Sequence, residues 1–136
     1  MVRSPRSQTG RALLLLALVA LLGACGNAAA SRLAELPVMT TVPDGVTEVS
    51  RASGSELGGW PTTPVMATVT YRITGGDPEG AIEQLREVAI ESGWTLEGQQ
   101  PGTTLRGTMM TEDGLARLAA TVSLPGDELQ VTVSLP

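Results

Sequence analysis

Apolar and polar residues alternate along most of the C-terminal half of the chain, which is the pattern of half-buried β-strands. The first such segment covers residues 65–73. Four more follow after residue 93, separated by the turn signals 100–102, 112–114 and 125–127, each short enough for a hairpin. Their predicted inward positions are Trp94 and Leu96; Leu105, Gly107 and Met109; Leu118, Ala120, Val122 and Leu124; and Leu129, Val131, Val133 and Leu135. Successive hairpins predict an antiparallel meander.

Between the first strand and the meander, the apolar spacing changes to that of a helix. Asp77 is the predicted N-cap, Pro78 fits the first helical position, and Gly93 suits the left-handed residue that ends a helix. The predicted buried face consists of Ala81, Ile82, Leu85, Val88 and Ala89. We therefore predict a two-layer α+β domain with one helix packed on an antiparallel sheet of about five strands. The strand-helix-four-strand order is similar to the cystatin-like arrangement.

The segment before the first regular strand carries weaker signals. Pro43-Asp44-Gly45 predicts a turn, and residues 46–51 predict a short edge strand. Residues 51–64 are rich in glycine and proline and predict a loop, in which Trp60 is the one large apolar residue. Trp60 either covers the open end of the core or serves as a contact for a partner.

The N-terminus has the pattern of an export signal. Arg3, Arg6 and Arg11 precede an apolar run over residues 12–22, which small residues follow. The sequence Leu22-Gly23-Ala24-Cys25 resembles the lipobox of bacterial lipoproteins. The resemblance implies cleavage between Ala24 and Cys25, and a mature Cys25 that carries an S-diacylglyceryl group and an N-acyl chain. Two or three acyl chains would make a durable membrane anchor.

Two other interpretations of the N-terminal segment are open. Residues 12–31 carry no charge and, at 1.5 Å per residue, could span about 30 Å as an uncleaved transmembrane helix. Gly23, Gly26 and Asn27 interrupt that run and favour a signal peptide. In the other interpretation, the protein is secreted as a free product without a membrane anchor.

These signals divide the chain into three parts. We predict a lipoprotein signal peptide at 1–24, a lipidated N-terminus with a flexible tether at 25–36, and a single α+β domain at 37–136. The run from the turn at 43–45 through Tyr71 to Gly93-Trp94 also resembles small envelope lipoproteins of high-GC Gram-positive bacteria, mostly of unassigned function. That resemblance implies a location on the outer face of the cell membrane.

Composition excludes several kinds of chemistry. Residues 25–136 hold all fourteen acidic residues and six arginines, a formal net charge of −8 that repels phosphate backbones, so we expect no nucleic-acid partner. The chain has no histidine and one cysteine, which rules out Ser-His-Asp and Cys-His arrangements. We therefore predict a protein that is not an enzyme, with no catalytic residue, no cofactor and no metal site.

Two carboxylate groupings have both a structural and a chemical interpretation. Glu83, Glu87 and Glu91 form a stripe at a spacing of four residues, which suits a solvated helix face better than a cation site. Glu112-Asp113 precede Gly114 and suit a turn better than general acid-base catalysis.

Two functions fit this pattern. In the first, the protein is a membrane-anchored binding or assembly module of the cell envelope that holds another envelope protein, through loop 51–64 or the free sheet face. In the second, it carries or senses an apolar or lipid ligand between helix and sheet, with Met66, Met109 and Met110 as adaptable lining.

Overall fold

The computed structural model describes residues 28–54, 65–98, 102–123 and 127–136. Within them the chain is α+β and rich in sheet, which confirms the predicted class. The helical segments are α1 (28–34), α2 (Pro37–Thr40) and α3 (Pro78–Glu91). The strands are β1 (Val46–Gly54), β2 (Met66–Ile73), β3 (Thr95–Leu96), β4 (Thr104–Thr111), β5 (Gly114–Ser123) and β6 (Glu128–Ser134).

The six strands form one antiparallel sheet in the order β1-β2-β6-β5-β4-β3. Strands β3 to β6 pair in succession, so the predicted meander is confirmed. Helix α3 carries the chain from β2, near one edge, to β3 at the other edge. Strand β6 then completes the sheet by pairing with both β5 and β2.

The predicted count and order of elements were wrong. The sheet has six strands, and α1, α2 and β1 precede the predicted strand-helix-four-strand series. The cystatin-like analogy rested on that order and fails with it. An edge strand was expected at 46–51, and β1 is indeed the edge strand. It runs on to Gly54, into a segment predicted to be loop.

Helix α3 begins and ends where its sequence predicts. The Asp77 side chain accepts a hydrogen bond of 2.9 Å from the Gly80 amide, which caps the first turn. At the other end Gly93 has φ +96°, and the Trp94 amide donates to the Ala89 carbonyl at 3.0 Å. This is the bond that closes a Schellman cap. The face of the helix that packs on the sheet buries Ala81, Ile82, Leu85 and Ala89.

The period of two places alternate residues of each strand on an inner face, toward the helices, and on an outer face. The inner positions of β2, β5 and β6 are buried, as predicted, and the predicted inner residue Leu124 lies outside the described residues. Tyr71, Val69 and Leu129 are 0% exposed. The outer positions of the central strands are half-buried or exposed. The core therefore lies in one layer, between the helices and the inner face of the sheet.

The predicted tether shows the largest difference from expectation. Residues 28–34 are helical, and Leu33 is 2% exposed and belongs to the core. Helix α2 then buries Val38 and Met39. Three consecutive alanines favour helix, but the burial depends on strands far away in sequence. The structure thus differs from the predicted coil over 28–34, whereas the outer bounds of the domain stay a prediction.

Candidate functional site

Three predicted site residues lie outside the described residues. They are Ala24 and Cys25 of the predicted cleavage and lipidation site, and Trp60 of the predicted loop. Their roles stay predictions. The remaining candidates can be placed.

An open groove of about 490 Å³ lies between the N-terminal helices and the β4–β5 hairpin. We call it the α1 groove. Its apolar wall is made by Leu33, Leu36, Pro37, Met109 and Met110. Met110 is 73% exposed, the most exposed large apolar side chain of the described residues. Such a surface provides apolar contact area without enclosing a ligand.

The rim of the α1 groove contains the carboxylates predicted to be turn residues. Glu112 and Asp113 form the turn between β4 and β5, as expected. The Arg32 guanidinium of α1 contacts Asp113 through Nη2 to Oδ1 at 2.6 Å and through Nε to Oδ2 at 2.8 Å. It also lies 3.2 Å from Glu112 Oε1. This two-point contact joins the N-terminal helix to a hairpin 81 residues away.

The charge of Arg32 determines the chemistry available at this rim. Its hydrogen bonds lower the pKa of Asp113 below the ordinary value, so the carboxylate is ionised and already bound. A general acid or base near neutral pH needs a pKa close to that pH. The pair therefore has the character of a structural contact. Sequence reasoning missed Arg32, because no local pattern connects residue 32 with residue 113.

A second ionic cluster holds β1 to α2. The Arg51 guanidinium donates to both oxygens of Glu48, at 2.9 and 3.1 Å, and to the Met39 carbonyl at 2.8 Å. The hydrogen bond from Arg51 lowers the pKa of Glu48, and the same bond raises the pKa of Arg51. Burial raises the pKa of the neighbouring Tyr71, whose hydroxyl has no hydrogen-bond partner among the described residues. Like the contact of Arg32 with Asp113, this cluster holds two secondary-structure elements together, here β1 and α2.

The predicted glutamate stripe and the three predicted methionines take no part in these two ionic contacts. Glu83, Glu87 and Glu91 are all exposed on α3, as expected of a solvated face. In the described part of the chain, no three His, Cys, Asp or Glu side chains come together as metal ligands would. Met109 and Met110 line the α1 groove, whereas Met66 lines a groove on the outer sheet face. The three methionines thus do not share one cavity.

Comparisons with known proteins give no relative from which a role could be transferred. No protein-family model matches the chain, and neither the curated proteins nor the solved structures contain a significant match. Among the described residues no helix is both long and apolar enough to cross a bilayer.

Proposed function

We propose that the protein is a bacterial lipoprotein, anchored through Cys25 to the outer face of the cell membrane, and that it acts there as a binding or assembly module of the envelope. The observation that supports this most is the position of the lipobox-like sequence directly ahead of a helix that packs into the core. Ala28 is already helical, and Leu33 is buried. An anchor at Cys25 would therefore hold a folded domain, with little free chain between them.

The distance between anchor and domain follows from chain geometry. Cys25 and Ala28 are three residues apart, so their Cα atoms can be separated by at most about 10 Å. An unstructured segment over 26–36 would instead have had a root-mean-square span of roughly 20 Å. A lipidated Cys25 would keep the domain next to the headgroups, where its partners would also be membrane proteins or lipids.

The α1 groove supports a binding role. Exposed Met110 and half-buried Leu36 and Met109 provide an apolar centre, and Arg32, Glu112 and Asp113 provide a charged rim. An apolar centre with a polar rim is typical of protein-contact surfaces. The alternative role as carrier of an apolar ligand has less support, since Met66 lies on the other side of the sheet from Met109.

The anchoring half of the proposal is tested by Cys25→Ala in the native host. We expect the precursor to stay uncut after Ala24 and to take up no fatty-acid analogue, because the thiol is the acyl acceptor. Ser31→Ala, six residues further on, serves as the control and should be processed and labelled normally. Mature-length, labelled protein from the Cys25→Ala gene would refute the lipoprotein assignment.

The binding half is tested by crosslinking of the full chain in its own membrane. Met110→Gln should weaken the crosslinks that form at the α1 groove, and Trp60→Ala should weaken those at the predicted loop contact, without lowering the melting temperature. Val49→Gln is the control, since Val49 is 53% exposed on β1, away from that groove.

The proposal contains no catalytic step. Turnover of an envelope substrate by the purified protein, lost on Asp113→Asn, would contradict it.

A further inference from the structure

Strand β1 is one edge of the six-stranded sheet, and its outward side has no strand partner among the described residues. Residues 50–54 pair with β2 in a regular register, whereas a β-bulge between Glu48 and Ser50 interrupts the ladder before them. Most of β1 is exposed to solvent. The regular part of this free edge is therefore the segment 50–54, which we call the β1 edge.

The hydrogen bonds of β2 determine where the backbone groups of the β1 edge point. The Val65 carbonyl, just before β2, accepts a bond from the Leu135 amide, so the odd-numbered residues of β2 direct their backbone groups toward β6. The even-numbered residues bond to β1 and use the backbone groups of its residues 50, 52 and 54. Arg51 and Ser53 direct their N–H and C=O groups out of the sheet. In the described parts of the chain, these four groups have no backbone partner.

The side chains of the β1 edge allow close approach of a second strand. Four of its five residues are small, namely Ser50, Ala52, Ser53 and Gly54. The fifth is Arg51, whose guanidinium lies 2.9 Å from the carboxylate of Glu48 on the same strand. Arg51 and Glu48 together carry no net charge, whereas residues 25–136 have a formal net charge of −8. Two copies can therefore approach through this edge with less repulsion than through the acidic parts of the surface.

We propose that the β1 edges of two copies of this chain pair antiparallel about a two-fold axis and join the two sheets into one. An antiparallel edge is its own complement, so Arg51 of one copy exchanges N–H···O=C bonds with Ser53 of the other. Ala52 then lies opposite Ala52 of the second copy, in a pair without hydrogen bonds and with a Cα separation of about 4.5 Å. Its methyl group suits that short separation.

The symmetry of this pairing favours a second copy over an unrelated extended segment. The two bulges lie at the two ends of the paired segment, so each copy fixes the register of the other. The two-fold axis is perpendicular to the sheet, which keeps the helices of both copies on one side of it. Two copies anchored through Cys25 can therefore pair within one membrane, where confinement raises their local concentration. The inference goes beyond the proposed function and does not require the anchor.

The test places a thiol on the proposed axis. Ala52→Cys in the full chain should form a disulfide between copies on mild oxidation, because disulfides need Cα separations of roughly 4.4–6.8 Å. Ser50→Cys is the matched control, on the same face of the same strand, where the pairing puts equivalent Cα atoms about 14 Å apart. The wild-type chain gives the background from Cys25, the one native cysteine. We expect Ala52→Cys to give at least about tenfold more covalent dimer than either.

A second measurement tests whether the trapped contact is strand pairing. Ser53→Pro removes a donor from the free edge but breaks no bond to β2, since the amide of residue 53 points away from β2. Combined with Ala52→Cys, it should reduce the covalent dimer at least about fivefold, because proline cannot donate to the second strand. Ser53→Ala combined with Ala52→Cys is the control and should leave the yield unchanged. Thermal melts show whether each variant is folded.

Two outcomes would overturn the proposal. One is a dimer yield from Ala52→Cys no higher than that from Ser50→Cys, a comparison that also decides if Ser53→Pro fails to fold. The other is a folded Ser53→Pro variant that is trapped as well as Ser53→Ala. A disulfide from Ala52→Cys to a different protein, without covalent dimer, would assign the β1 edge to another extended segment and reject a second copy. Each yield can be measured in whichever fraction holds the protein, so failure here leaves the lipoprotein assignment standing.

Discussion

Helix α3 and the N-terminal helices α1 and α2 cover the same sheet, but different forces hold them. Helix α3 carries its own N-cap, its own C-cap and a continuous apolar stripe. Helix α2 has four residues and no side-chain cap, and α1 depends on Leu33 in the core and on the contact of Arg32 with Asp113. A helix this short is not stable by itself. The first region is specified locally and the second by its tertiary contacts.

Loss of the packing of α3 on the sheet is expected to lower the free energy of unfolding more than any other change considered below. Leu85 is 1% exposed at the centre of the stripe, so Leu85→Ala should lower the free energy of unfolding by about 2–5 kcal/mol. Glu87→Ala, on the exposed side, should be nearly neutral. Denaturant titration of both variants measures the difference. Equal losses from the two would show that the helix face is assigned incorrectly.

The second prediction concerns α1. Leu33 is nearly as buried as Leu85, and Leu33→Ala should cost about 2–3 kcal/mol, at the lower end of the range for such truncations, because this end of the core can partly relax. The control is Ser31→Ala, an exposed position of the same helix. If residues 28–34 were a free tether, both substitutions would leave the unfolding curve unchanged.

The third prediction separates capping from packing in α3. Asp77→Ala removes the acceptor for the Gly80 amide and should cost about 1 kcal/mol, whereas Asp77→Asn can still accept that bond and should be close to wild type. Thermal unfolding of the three proteins gives the comparison. A loss in Asp77→Asn as large as that in Asp77→Ala would mean that charge matters more than the cap.

The smallest expected effect is that of the ionic contact at the α1 groove. The pKa of Asp113 is lowered below its ordinary value of 3.8, so the carboxylate stabilises the fold above that pH and loses its contribution as the pH falls through the lowered value. We expect Asp113→Asn to be slightly less stable at neutral pH and low salt, with the difference shrinking in acid and in high salt. Glu112→Gln, which removes the weaker contact, should change less. A difference that grows on acidification would reverse the assigned sign.

Much of the architecture could be predicted because its signals are local. The alternation of apolar and polar residues in β2, β5 and β6 predicted which positions face the core. The limits of α3 were predicted from Asp77, Pro78 and Gly93. Strand β1 was partly predicted, because Val46 follows a clear turn. Its later residues are mostly polar and exposed, and a polar edge strand resembles a loop in sequence.

The N-terminal helices and the contacts of the candidate site could not be predicted in this way. Residues 28–34 consist mainly of small residues, and only Leu33 has the size to signal burial. The partner of Arg32 is 81 residues away, and the two come together only because the β4–β5 hairpin lies beside α1. Such contacts depend on register and strand order, which a single sequence specifies weakly.

The central position of β6 has a consequence for the time at which this protein can fold. In the described parts of the chain, β1 and β2 form one ladder, β3 to β5 form another, and β6 joins the two. A chain that is made or exported with its N-terminus first therefore cannot complete its sheet until residue 134 has arrived. Until then β2 has only β1 as a neighbour and β5 has only β4, so each of the two strands exposes one edge of unpaired backbone. Assembly of the native core is thus coupled to the emergence of residues 128–134.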